Sequence, residues 1–328
     1  VFYCFRTENF SREVVSMIFV VNMILLALCV VVFTVISLVP NDAKRLEQLQ
    51  ENYVPSAVSG EEDTWAYFLI NDENPLPDGY KPQLDIVQGQ FAMDERCAEY
   101  ARAMIVAAEN DGIRLCVVSA YRSTDKQQEN LESYTQRLIN EGHSPEEAEK
   151  LALMEIAEPG KSEHNAGLAL DILTYDWWET HDDVTADFEN TEEFEWLQAN
   201  AHKYGFIMRY PKEWEETTGY TYEPWHYRYV GKEAAKEIFE QGVCLEEYLD
   251  VLKGYTAETK MLHIAEDRTL TDVDTADLSG VSGGWLTYFI PAAEGDTTSI
   301  RIPGGDRFAD YEISGNNVDG FVVTITLG

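Results

Sequence analysis

Two of the six histidines in this 328-residue chain stand in segments whose neighbours could do chemistry. One segment reads Ser162-Glu163-His164-Asn165-Ala166-Gly167-Leu168-Ala169-Leu170-Asp171, the other Glu223-Pro224-Trp225-His226-Tyr227-Arg228-Tyr229-Val230-Gly231. Between them they offer the parts needed to hydrolyse an amide with metal assistance. A catalytic zinc takes three protein ligands and keeps a further position for water or substrate. The ion polarises a carbonyl and brings the pKa of bound water toward about 7. A carboxylate off the metal must then move the proton from water to the leaving amine. His164, Asp171 and His226 are the candidate ligands, and Glu223 is the candidate base. Asp171 interrupts the apolar run Leu-Ala-Leu-Asp-Ile, where a lone buried carboxylate is costly and a cation would offset that cost.

Each feature also has a plainer reading. A histidine beside a strand is most often structural, an aspartate in a strand often serves a turn, and Glu-Pro-Trp-His is a weak motif alone. The helical pattern H-E-x-x-H does not occur. Glu223 and His226 are three apart, which in a regular strand places them on opposite faces. Pro224 between them signals irregular backbone, so spacing leaves open whether they share a pocket.

Several elements must position these residues. Apolar positions at Cys97, Ala98, Ala101, Met104, Ile105 and Ala108 predict a helix over 94–110, ended by Gly112. Leu115–Ser119 reads as a short strand, and 126–140 as a helix. Ser144-Pro145-Glu146-Glu147 carries a helix-start signature, with Pro159-Gly160 as the stop. Strands are expected at 168–173, 206–209 and 225–230, with helices from Thr191 to near Gly205 and over 232–242. The mixture predicts an α+β domain with a mostly antiparallel sheet over residues 63–255. Beyond it, short strands at 285–290, 298–302, 311–314 and 321–327, separated by Gly, Asn and Asp clusters, predict a small all-β domain over 256–328.

The formal charge of −35 excludes a phosphate-neutralising surface and hence nucleic acid as a partner. Its simplest consequence is solubility through self-repulsion. The five cysteines, Cys4, Cys29, Cys97, Cys116 and Cys244, form no C-x-x-C pair, so buried free thiols are expected, with a single Cys97–Cys116 bridge as the alternative, rather than a disulfide framework or a cysteine zinc site. No charged residue occurs from Val14 to Val39. As a helix that run would extend about 39 Å, enough to cross a bilayer with some tilt. It is longer than the apolar region of a cleaved signal, so an uncleaved anchor is expected, with a tail at 1–13 and an acidic stalk at 40–62. Arg6 and Arg12 before the run nearly balance Lys44 and Arg45 after it, so charge does not orient it.

The two histidine segments resemble the hallmark segments of VanY-type D-alanyl-D-alanine carboxypeptidases. Ser119-Ala120-Tyr121-Arg122-Ser123 with Gln127 is similar to a third family segment, and the three occur in the family's order. Asn74-Pro75-Leu76-Pro77 and Arg209-Tyr210-Pro211 also fit, so the likeness covers about 65–250. Ala166 replaces the usual threonine, outside the metal positions. The resemblance implies a zinc D,D-peptidase-like fold with Zn2+ on His164, Asp171 and His226 and with Glu223 as general base. It also implies that Arg122 stabilises the oxyanion and that Ser162 and Gln127 hold substrate. The implied substrate is the D-Ala-D-Ala terminus of a peptidoglycan stem peptide. That substrate lies outside the membrane, which orients the anchor: a single-pass protein of the cell membrane with an extracytoplasmic catalytic domain. Two other readings use the same residues: an L,D-carboxypeptidase acting on tetrapeptide stems, and a non-catalytic wall-binding or sensor protein. Intact Glu223, Arg122 and ligand set argue against the second.

Overall fold

The computed structural model describes residues 66–292 and 311–327, except 78, 257, 266–268, 275–277 and 279. The expected tail, anchor and stalk, and the strand expected at 298–302, lie outside the described residues. Among the described residues no helix is long and apolar enough to cross a membrane.

A hairpin of β1 (Leu84–Gln88) and β2 (Phe91–Asp94) leads into the helix Glu95–Asn110. Asp94 caps this helix by accepting from the Arg96 N–H, and Gly112 follows its end at φ 86°. Next come β3 (Leu115–Ser119) and the helices Thr124–Asn140 and Pro145–Glu155, each capped by the serine before it. Then follow β4 (Ala169–Thr174), the helix Glu192–Asn200, β5 (Phe206–Tyr210), β6 (Glu223–Tyr229), and the helices Lys232–Gln241 and Leu245–Leu252. Strands β3 to β6 form an antiparallel sheet in the order β3-β4-β6-β5. Every residue of β4 is buried, as its near-continuous apolar run requires of a central strand.

The sheet's two faces differ because side chains alternate. Leu170, Ile172, Tyr227 and Tyr229 join Ala98, Ala101 and Met104 of the first helix in the main core. The intervening residues Asp171, His226 and Arg228 face the other way. Asp171 lies directly opposite His226 across β4 and β6, so their side chains share a face.

The remaining strands are β7 (Lys260–Ile264), β8 (Leu270–Asp274), β9 (Gly284–Pro291), β10 (Tyr311–Gly315) and β11 (Gly320–Leu327). They form an antiparallel sheet in the order β10-β11-β9-β7-β8. Gly320 has to be glycine, since a Cβ there would fall 2.3 Å from the Ile290 carbonyl oxygen. One face of this sheet, through Leu262, Ile264, Phe289 and Val322, shares a core with Tyr67, Leu69, Ile207, Val230, Ile238 and Leu249. Its other face closes a separate core of Met261, Leu286, Tyr288, Val323 and Ile325. The tip of the β10–β11 hairpin also grips the start of the peptidase region. Ser314 Oγ accepts from the Tyr67 N–H (2.9 Å), Asn316 O accepts from the Leu69 N–H (3.0 Å), and Asn317 Nδ2 donates to Pro75 O (3.0 Å).

Candidate active site

His164 sits in a single 3-10 turn, Glu163–Ala166, that feeds β4. Ser162 caps the turn, its Oγ accepting from the His164 N–H at 3.3 Å. Gly167 closes it at φ 74°, where a Cβ would stand 2.9 Å from the Asp94 nitrogen. The turn is joined to the β3 exit: the Arg122 N–H donates to His164 O (3.0 Å), and Asn165 Nδ2 donates to Arg122 O (2.7 Å). This zipper joins the segment that carries Arg122 to the segment that carries His164.

The ligand candidates converge. One nitrogen or oxygen from each of His164, Asp171 and His226 lies within 4.8 Å of the others, and all three residues are buried. His164 Nε2 is 3.2 Å from Asp171 Oδ2, and His226 Nδ1 is 3.3 Å from Asp171 Oδ1. The latter pair is close without hydrogen-bond geometry, and Asp171 Oδ1 is left buried with no hydrogen-bond partner. Such an unpartnered oxygen, on a carboxylate that faces one imidazole with each of its oxygens, is a site that a cation completes, and a His, His, Asp donor set suits zinc. His164 Nδ1 lies 2.7 Å from Ala120 O, which leaves its Nε2 free to ligate.

Glu223 joins this group. Its Oε2 is 3.5 Å from His226 Nδ1 although the residues are three apart. The register of β5 against β6 jumps here: Met208 faces Tyr227, but Tyr210 faces Glu223. Extra β6 residues therefore bulge around Pro224, and the bulge re-aims Glu223 toward the ligand face. Arg122 reaches the same place from β3, with Nη2 3.9 Å from Asp171 Oδ2. Its guanidinium is held from behind by Ser119 Oγ (2.9 Å) and Gln127 Oε1 (3.0 Å). Gln127 is 1% exposed and also donates to Ala157 O at 2.7 Å, so its contacts in this structure are to Arg122 and backbone. Ser162 is buried as the cap of the His164 turn.

Taken as protein groups alone, these side chains are strongly biased. Burial alone would raise the Asp171 carboxyl, but His164 and His226 outweigh it and hold it well below the carboxylate range. Burial lifts the Glu223 carboxyl to about 8, with Asp171 and Glu155 adding and His226 and Arg122 opposing. A dication at the three ligands would pull it back down, toward the ionised form a base needs. Burial works against the charged form of His226, yet Asp171, Glu163 and Glu223 prevail and raise it to about 9.

Two neighbours were not singled out from sequence. The Tyr210 ring lies 4.9 Å from the His226 ring and stacks on Tyr220. Glu163 lies behind His226, between Arg209 and Arg228. Its signal was indirect: two arginines inside apolar strands, Phe-Ile-Met-Arg-Tyr and Trp-His-Tyr-Arg-Tyr, require a buried anion. His143, His181 and His263 lie outside the constellation.

The region that holds these residues is similar to known proteins. The family model for VanY, D-alanyl-D-alanine carboxypeptidase, matches residues 90–232. A D-alanyl-D-alanine carboxypeptidase of Enterococcus faecalis (strain ATCC 700802 / V583) is 38% identical over 208 residues, spanning 63% of this chain and 74% of the relative. A mutant of the vancomycin-resistance D,D-pentapeptidase VanY, solved in complex with Zn(II), superposes with a TM-score of 0.50 at 39% identity, covering 56% of this chain and 99% of that one. The D,D-dipeptidase VanXYg, solved with a D-Ala-D-Ala phosphinate analogue, reaches a TM-score of 0.61 at 30% identity, over 80% of this chain and 94% of that one. With the α+β zinc-peptidase fold, the convergent ligand set and these matches in hand, the chain belongs to the VanY family of D-alanyl-D-alanine carboxypeptidases.

Proposed function

We propose that this protein is a zinc-dependent D,D-carboxypeptidase that hydrolyses the terminal D-Ala-D-Ala bond of peptidoglycan stem peptides. The observation that carries the reading is the meeting of His164, Asp171 and His226 within 4.8 Å, with the Glu223 carboxylate 3.5 Å from His226. His164, Asp171 and His226 would hold the ion. When bound, zinc supplies Lewis-acid polarisation of the scissile carbonyl and lowers the pKa of water.

The remaining work falls to side chains. Glu223 accepts a proton from the attacking water as the new C–O bond forms. It then delivers that proton to the nitrogen of the departing D-alanine as the C–N bond breaks. Arg122, permanently charged and braced by Ser119 and Gln127, faces the negative charge that develops on the carbonyl oxygen. Ser162 and Gln127 contribute to holding the peptide end from behind, Ser162 through the turn that carries His164 and Gln127 by setting the angle of Arg122. No covalent enzyme intermediate forms, so β-lactams do not acylate the protein.

The same reading places the apolar run 14–39 in the cell membrane as a single anchor, with 1–13 inside and 40–62 as a stalk. The peptidase domain, 63–255, and the β-rich domain, 256–328, then stand outside near the wall. What supports this is the uncharged length of the run and the location of the substrate.

The test is release of D-alanine from a stem pentapeptide ending in D-Ala-D-Ala, with zinc and with chelator, beside a tetrapeptide lacking the last D-alanine. Metal-dependent release from the pentapeptide is expected. Release only from the tetrapeptide would replace this reading with an L,D-carboxypeptidase. With zinc bound and the fold intact, release from neither would leave a binding protein.

A further inference from the structure

Glu163 is a fully buried carboxylate beside the site that the mechanism above does not use. It is 1% exposed. Its Oε1 accepts from Arg228 Nη1 at 2.6 Å and from Arg209 Nε at 2.8 Å, while its Oε2 lies 3.3 Å from His226 Nε2. The two guanidiniums are themselves held from elsewhere. Arg209 donates to both carboxylate oxygens of Glu246, at 3.0 and 2.6 Å. Arg228 donates to the carbonyl oxygens of Ala66 (3.0 Å), Phe68 (2.7 Å) and Tyr229 (2.9 Å). Neither arginine can easily follow Glu163 if it moves, and Glu163 cannot easily leave them.

This arrangement settles a question of chemistry at His226. A carboxylate between two guanidiniums stays ionised, and an ionised carboxylate only accepts hydrogen bonds. The imidazole nitrogen facing it must therefore carry the hydrogen. In a neutral ring, a proton on Nε2 leaves the lone pair on Nδ1. Nδ1 is the atom that faces Asp171 Oδ1 at 3.3 Å and Glu223 at 3.5 Å. His164 reaches the complementary state by a weaker device, a backbone carbonyl at 2.7 Å from its Nδ1.

We propose that Glu163 is a positioning residue, clamped by Arg209 and Arg228, that holds His226 in the tautomer presenting Nδ1 to the metal. The inference rests on the reading of His164, Asp171 and His226 as zinc ligands. A carboxylate behind a ligating imidazole fixes its ring and raises its basicity, and loss of such a partner costs about 10–100-fold in metal affinity.

Glu163→Gln separates positioning from mere neutralisation of two arginines. In the variant the guanidiniums hold the amide oxygen, which turns the amide NH2 toward His226 Nε2. An NH2 group cannot accept, so the ring is driven to the wrong tautomer. Zinc affinity of the full-length protein, measured by competition with a chelator, is expected to fall about 10–100-fold. An affinity within twofold of wild type, with only the melting temperature lowered, would overturn the proposal. Should the variant not fold, ring-15N spectra of zinc-loaded wild-type protein decide the matter. A hydrogen on His226 Nε2 supports the proposal, and a hydrogen on Nδ1 overturns it. If wild type takes up no zinc, the ligand reading itself fails. If wild type binds zinc and the variant binds it equally well, this inference alone fails.

Discussion

The four-stranded sheet buries Asp171, Arg209, His226 and Arg228, with Glu163 and His164 in the turn that feeds it, whereas the five-stranded sheet buries only Thr287, Ser314 and Asn316 among its described polar residues. Both are antiparallel sheets of similar size, so topology does not account for the contrast. Burying an ion costs several kcal/mol unless partners offset it. The first sheet meets that cost with a closed network: Glu163 to Arg209 and Arg228, Arg209 to Glu246, Asp171 to the two imidazoles. Among its described residues the second has no such buried network, and apolar burial on both faces stabilises it. Its neutral polar groups serve attachment, since Ser314 and Asn316 hold the backbone at 67–69. Between the two sheets, buried charge therefore falls on the one that carries the candidate site, and the second works as packing.

Substitutions in the two sheets should have separable effects. The largest is expected from Asp171→Asn, which removes a candidate ligand and the carboxylate that contacts both imidazoles. Zinc affinity should fall by more than the roughly 100-fold upper range for a supporting residue, with D-alanine release at the level of the chelated enzyme. Retained stoichiometric zinc would show that the ligand set is wrong. Arg122→Ala is expected to lower kcat about 10²–10³-fold while leaving zinc bound, the range for loss of one oxyanion donor. A change confined to KM would assign Arg122 to peptide binding instead.

In the second sheet the readout changes from rate to stability. Leu286→Ala, in the core of the far face, should cost about 2–5 kcal/mol of folding stability. Its kcat should match wild type at temperatures where the variant is folded. A kcat loss under those conditions would break the contrast between the sheets. The smallest effect is expected from Asn317→Ala, which removes the side-chain donor to Pro75 O from a residue at φ 58°. About 1–2 kcal/mol of stability should be lost, with zinc affinity unchanged. Chemical denaturation and chelator competition on the same samples measure both.

Much of the site was legible because its residues lie in three short segments. His164, Asp171, His226, Glu223 and Arg122 were all named from sequence and meet in one place. The strands carrying them were legible too: Leu115–Ser119 matches β3 in full, and 168–173 differs from β4 by one residue at each end. What sequence could not supply was register. Whether Glu223 and His226 share a pocket depends on the β5–β6 bulge, which arises from pairing with residues 208–210. Glu163 was hidden for a similar reason, since its partners lie 46 and 65 positions away. Strand β8 gave little hydrophobic signal because its side chains are largely exposed. The helix Leu245–Leu252 was not anticipated, and it supplies Glu246 to the arginine network. Cys97 and Cys244 are buried free thiols, as the cysteine spacing suggests, whereas Cys116 is free but only half-buried.

The most direct test of the central claim is D-alanine release from a D-Ala-D-Ala pentapeptide by wild type and Glu223→Gln, each carrying one zinc. Glu223 should be dispensable for the metal and indispensable for proton transfer. The account predicts equal zinc content and a fall in kcat of about 10²–10⁴-fold, the range for loss of a general acid–base group. Equal zinc with undiminished turnover would contradict it and remove Glu223 from the chemistry.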